Sequence, residues 1–175
     1  IQSTETLQPS TQLLLFYWYY AKENSIYMHG AVIALGCSAM TITRAFRQLE
    51  KTGCFETGKT GVQKYLKGKS SPDEILYKLE PYLISPLADI IYLDKDVIKG
   101  GIIADTEEGK GYPSYAVNKK DFHYTGGHEL LDAETQSEIQ LWKYDPAILA
   151  VNGHVDPLSL ALSLKKPLFS FIKND

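Results

Sequence analysis

The sequence predicts an α+β fold in two parts: a helix-rich domain over residues 1–85 that contains a β-hairpin, followed by a smaller mixed α/β domain over 86–175. Three observations predict it. Before residue 85, apolar residues recur at helical spacing in several segments. Between Cys54 and Lys67 that spacing gives way to two short strand-like runs around a glycine turn. The charge also reverses along the chain. Ile1 to Ser70 holds eight Lys or Arg against four Asp or Glu, whereas Ser71 to Asp175 holds ten against seventeen, a contrast hidden in the net charge of -3. A basic module joined to an acidic one is the composition of a nucleic-acid-binding domain followed by one with a different task.

Hydrophobic residues at 44% and charged residues at 22% are enough to build a core, which excludes wholesale disorder. No apolar run reaches the roughly 18 residues that span a bilayer, and the start has no signal-peptide pattern, so a cytoplasmic protein without membrane contact is expected. The first residue is Ile, and Ile1 to Pro9 is polar and unpatterned. We therefore expect the chain to begin inside a longer protein or after a cut. Cys37 and Cys54 belong to no CxxC or Cys/His cluster and are read as small buried thiols.

Ser10 is expected to cap a first helix from Thr11, in which Leu13, Leu14, Leu15, Phe16, Trp18, Tyr19 and Tyr20 are apolar almost all round, as in a central helix. After a polar break at Lys22 to Ser25, His29 to Leu35 reads as a second helix stopped by Gly36. Gly36-Cys37-Ser38 is then a tight turn, because Gly tolerates positive φ and the Ser38 hydroxyl can accept from the first amides of a third helix, Ala39 to Thr52. In that helix Ile42, Ala45, Phe46 and Leu49 form one buried stripe, and Gly53 follows its end. Its other face holds Met40, Thr43, Arg44, Arg47, Gln48 and Lys51, with no acid at the centre. Cys54 to Lys59 and Val62 to Lys67 read as a hairpin about Thr60-Gly61. Ser71-Pro72-Asp73-Glu74 has capping-box spacing and opens a fourth helix to about Leu83, kinked at Pro81, before Pro86 ends the domain. Further on, Asp89 to Leu93, Tyr115 to Val117 and Ile139 to Tyr144 read as strands, and Pro146 and Pro157 each open a short helix behind an Asp. Gly100 to Pro113, rich in Gly and charge, reads as a mobile loop.

A major groove about 12 Å wide admits one α-helix if a preceding helix braces it and its outward face carries donors. The second and third helices meet that condition, and the hairpin after them completes the order of a winged helix-turn-helix. Arg44 and Arg47 are the candidate base readers, since each can donate two parallel hydrogen bonds to guanine O6 and N7. Met40, Thr43, Gln48 and Lys51 share their face, with Thr43 and Gln48 placed to refine the choice. Ser38 and Thr41, at the helix start, suit a phosphate that sets the register. Lys59, Lys64 and Lys67, together with Lys69, make the hairpin basic and suited to the DNA backbone. The expected partner is double-stranded DNA. One helix covers only a few base pairs, so a homodimer on two half-sites is also expected.

The stretch from Ala31 to Gly53 resembles the helix-turn-helix of MarR-like regulators. The runs Leu79 to Pro86, Trp142 to Pro146 and Val155 to Leu164 are similar to those of bacterial winged-helix proteins of the AbiEi-like antitoxin and regulator group. This resemblance spans Thr11 to Leu164. It implies operator binding with autoregulation by the first domain, and in some members neutralisation of a toxin by the second. Gly100 to Gly111 departs from the pattern, being shorter and lacking its apolar helix. The alternative expectation is a protein-interaction module in which the acidic domain captures a partner such as a toxin and DNA binding is secondary.

No set of residues reads as an active site, and no cofactor or metal is expected. His123 and His128 are five apart across two glycines without a second pair of ligands, and His154 stands alone. Gly58-Lys59-Thr60 lacks the earlier glycine of a phosphate-binding loop and precedes a strand. Asp156-Pro157 with Ser159 is the chemistry of a helix start rather than of a nucleophile.

Overall fold

Pro9–Ala21 forms α1 and buries Thr11, Gln12, Leu13, Leu14, Leu15, Phe16 and Trp18, so neighbours must cover it on nearly every side. The computed structural model describes residues 5–98, 100–104 and 110–169, and the chain divides into two compact units, 1–84 and 85–175. The first helix starts earlier than the expected Ser10 cap. Pro9 takes a first-turn position, where a missing N–H costs nothing, and Gln8 stands at the N-cap without a side-chain hydrogen bond.

The polar break after α1 holds a strand not foreseen in the sequence, β1 (Ser25–Tyr27). It pairs with β3 (Gln63–Gly68), which also pairs with β2 (Phe55–Thr60), giving an antiparallel sheet of order β1-β3-β2. Three residues are too few to show alternation; β1 is a strand because the free edge of β3 lies beside it. The hairpin loop is Gly61-Val62 rather than Thr60-Gly61, since Thr60 still pairs with Gln63. Gly61 has φ +65° and Val62 a negative φ, the signs of a type II′ turn.

Between β1 and the hairpin run α2 (Met28–Leu35) and α3 (Ala39–Lys51). Gly36 at φ +62° ends α2, and Ser38 Oγ accepts from Thr41 N at 3.1 Å to cap α3. Ile42, Ala45, Phe46 and Leu49 are the buried stripe, as the spacing requires. Cys54 is buried and Cys37 only partly so. α4 (Pro72–Leu79) is capped by Ser71, which accepts from Glu74 N at 3.3 Å. It stops short of Leu83: Pro81 cannot donate to the ladder, and Glu80–Tyr82 tightens into a 3₁₀ turn. Trp18 ties these pieces together. Its ring meets Phe55 edge-on at 4.8 Å, its Nε1 donates to Asn24 O at 2.9 Å, and a Cβ on Gly68 would fall 2.7 Å from its Cζ2.

The second unit is the longer of the two, not the smaller. Its strands β4 (Leu87–Asp94), β5 (Ile102–Ile103), β6 (Ser114–Asn118) and β7 (Gln136–Trp142) form one sheet of order β4-β7-β6-β5, antiparallel except for β6 and β7. β5 corrects part of the expected loop at Gly100 to Pro113; residues 105–109 of that stretch lie outside the described residues. α5 (Pro157–Ser163) is capped by Asp156, which accepts from Ser159 N at 3.0 Å. The helix expected at Pro146 is absent. Asp145 Oδ1 instead accepts from Ala147 N, and the chain soon turns back at Asn152-Gly153 to bridge Val151 with His154, leaving no room for a helix.

Along β7 the side chains alternate. Ile139 and Leu141 join Ile91 and Leu93 in an apolar core, while Glu138, Gln140 and Trp142 occupy the other face. The buried Glu138 Oε2 accepts from Ser114 Oγ at 2.7 Å, Lys110 Nζ at 3.1 Å and Gln140 Nε2 at 3.2 Å. Burial pushes its carboxyl up, but these three donors and the Lys110 charge outweigh it and hold the group below the ordinary carboxylate range. A depressed acid contributes stability above its unfolded pKa, about 4.3, and loses it as pH falls through the lower folded value. Glu138→Gln should therefore flatten the acid limb of stability for this unit, as read by denaturant melts at pH values on either side of that pKa.

Candidate nucleic-acid interface

α3 presents a stripe opposite its buried one. Met40, Arg44, Arg47 and Lys51 stand at i, i+4, i+7 and i+11, all exposed. The cap and the packed stripe together fix their direction, because a helix held by Ile42, Ala45, Phe46 and Leu49 can turn only one side outward. Arg44 Nη2 leans to Met40 Sδ at 3.3 Å. Among the described residues Arg44, Arg47, Lys51, Lys59 and Lys64 form no ion pair.

A groove flanks this stripe on each side. On the α1 side a cavity of about 500 Å³ is lined by Ser10, Thr11, Thr41, Arg44, Arg47 and Lys51, among others. On the hairpin side a second, of about 270 Å³, is lined by Met28, Thr43, Arg47, Glu50, Lys59 and Lys64, among others. Arg47 borders both.

The hairpin register decides which lysines reach the second groove. Lys59 and Lys64 are directly paired across β2 and β3, on the face that also carries the buried Phe55 and Leu66. Like charges held opposite each other are unfavourable and are relieved by an anion. Lys67 pairs with Glu56 on the opposite face, so the structure separates it from Lys59 and Lys64. Tyr65 covers Gly58 across the strands, where a Cβ would fall 2.6 Å from its Cζ.

Several other residues expected to reach outward are tied up within the protein. Gln48 accepts from Gln8 N at 3.0 Å and donates to Thr6 O at 3.3 Å, so its amide holds the segment before α1. Thr43 Oγ1 donates to Ala39 O at 2.9 Å in its own helix. Ser38 Oγ serves the cap and lies 3.0 Å from Thr41 Oγ1. The basic face is also less free of acid than the sequence indicates. Glu50 lines the hairpin-side groove and accepts from the Thr57 hydroxyl. Its position on the helix was legible, but its side of the groove depended on where the hairpin docks. Ser10 and Thr11, which line the other groove, have in the sequence only the character of a helix start; Pro9 ahead of them is the signal there for an uncapped N-terminus.

Elsewhere, His128 Nε2 lies 3.0 Å from Asp89 Oδ2, and this hydrogen bond, aided by the Ile90 amide, holds the exposed Asp89 carboxyl below its ordinary range. Burial, with the nearby Glu138 charge, pushes the Tyr92 phenol up. Ser159 is buried and bonded to Tyr144 at 2.6 Å. Among the described residues no group of three or more His, Cys, Asp or Glu stands close enough to hold a metal, and no helix is long and apolar enough to cross a membrane. No family model, curated protein or solved structure matches the chain.

Proposed function

We propose that this chain is a sequence-specific, double-stranded-DNA-binding transcriptional regulator in which residues 1–84 act as a winged helix-turn-helix of MarR-like kind. α3 lies in the major groove, Arg44 and Arg47 read base edges, and Lys59 and Lys64 on the hairpin wing meet the backbone. The observation that carries this reading is the unpaired cationic stripe of α3 beside a hairpin whose two facing lysines border the same groove. A stripe of four exposed residues, two of them arginines, has no packing role to explain it. The chain is proposed to act in the cytoplasm as a homodimer, since a single helix spans too few base pairs for useful specificity. Autoregulation in the manner of an AbiEi-like antitoxin follows from the sequence resemblance alone.

A gel shift with fragments of the source genome at moderate salt tests the reading, and a sequence retained above non-specific DNA is the expected result. If none is retained, the acidic composition of 71–175 favours the other reading, capture of a basic protein partner. Within the DNA reading, Lys64→Ala should weaken binding to all duplexes alike and reduce the slope of log affinity against log salt by about one. Anisotropy titrations at several salt concentrations measure both.

A further inference from the structure

The groove between α1 and α3 has the features of an oxyanion site. The first free amides of α1 belong to Ser10 and Thr11, and no side chain caps them, so they carry the positive end of a thirteen-residue helix. The Thr11 hydroxyl lines the same groove. Thr11 is 2% exposed, and its side chain has no hydrogen-bond partner among the described residues. The hydroxyl is not sealed in the core, where Ser137 Oγ is the one buried side-chain atom without a partner among the described residues; it opens on the groove beside the free amides, where a ligand can supply the acceptor. Arg47 and Lys51 line the groove from the α3 side, along with Thr41, and neither is ion-paired among the described residues.

We propose that this groove binds a phosphate of the DNA backbone, on the strand across the major groove from the one the hairpin meets. The inference rests on the DNA-binding reading and extends it. A helix lying in the major groove has a phosphate strand on either flank. Lys59 and Lys64 take the strand on the hairpin side, and the α1 groove is the cationic concavity on the other. Arg47, which borders both grooves, sits between the two strands. Glu5 also lines the α1 groove; its carboxylate opposes the phosphate and moderates the affinity.

The test is anisotropy of a labelled mixed-sequence duplex against the full chain and its variants at several salt concentrations. Lys51→Gln should lower the slope of log affinity against log salt by about one. Thr11→Val, nearly isosteric, should weaken binding about fivefold with the slope unchanged. Its melting temperature should not fall, because an unpartnered hydroxyl is replaced by a methyl group; a merely structural hydroxyl would show the reverse. Glu5→Gln should strengthen binding. If Lys51→Gln and Thr11→Val bind as the parent does while Lys64→Ala is weakened, the groove holds no phosphate and the inference fails although the DNA reading stands. A parent chain that binds no duplex overturns both. Titration with inorganic phosphate, followed through the Ser10 and Thr11 amide resonances, separates a free-anion site: shifts there without any duplex binding would also overturn the proposal.

Discussion

Arg47→Ala should lower affinity for the preferred DNA sequence by about fivefold to 150-fold, the range given by roughly 1 to 3 kcal/mol for one bidentate arginine–guanine pair. Arg47 is the critical position because it borders the grooves on both flanks of α3 and, although Glu5 and Glu50 line those grooves, it forms no ion pair among the described residues. Arg44 lies one turn nearer the start of the helix, its guanidinium against Met40, and reads a neighbouring base. Arg47→Lys separates charge from geometry. It keeps the cation and so the salt dependence, but loses the planar fork that donates two parallel bonds. That variant should bind mixed-sequence DNA nearly as the parent does and lose most of its preference for the operator. Competition titrations with operator and random duplex measure this, and an Arg47→Ala chain with undiminished preference would remove Arg47 from base reading.

Trp18→Ala should unfold most of the first unit at moderate temperature. Truncating a buried Trp costs about 3 to 5 kcal/mol, while a unit spanning 1–84 has only about 4 to 13 kcal/mol in all at typical values per residue. Trp18 is fully buried, meets Phe55 of β2 edge-on, and donates to the Asn24 carbonyl just before β1. Its loss therefore leaves a cavity and removes one of the two hydrogen bonds to the Asn24 carbonyl, which keeps only the Gly68 amide at 3.0 Å, and it loosens the sheet that carries Lys59 and Lys64. Each kcal/mol lost should lower the melting temperature by about 4 to 8 °C in a domain of this size. Trp18→Phe keeps much of the ring contact but not the hydrogen bond, and should fall between. DNA binding should decline in step with the folded fraction; a Trp18→Ala chain that melts like the parent would place the centre of this core elsewhere.

The elements most legible in the sequence were those specified by their own residues. Gly36 and Ser38 set the turn and the cap, Ile42 to Leu49 set the buried stripe of α3, and Ser71 and Asp156 set the starts of α4 and α5. Local steric preference and helical period act within a few residues, so they can be read directly from the chain. Sequence and structure part where a distant partner decides. β1 is too short to show a pattern and exists through pairing with Ile26's partner Leu66. Gln48 has the spacing of an outward residue, yet the segment before α1 returns to engage it. Pro146 follows an Asp as a helix start would, but the nearby reversal at Asn152-Gly153 leaves no length for a helix.

The same division runs through the candidate interface. From the sequence alone came the identity of the outward cations on α3 and the presence of a basic hairpin after it, because both follow from periodicity and from the order of elements. Only tertiary structure decided that Lys59 and Lys64 share a groove with Arg47 while Lys67 faces away, that Glu50 stands among them, and that the start of α1 borders the other flank. Strand register and helix docking are set by contacts between residues far apart in the chain, and a one-residue slip in register would exchange the two faces of the hairpin.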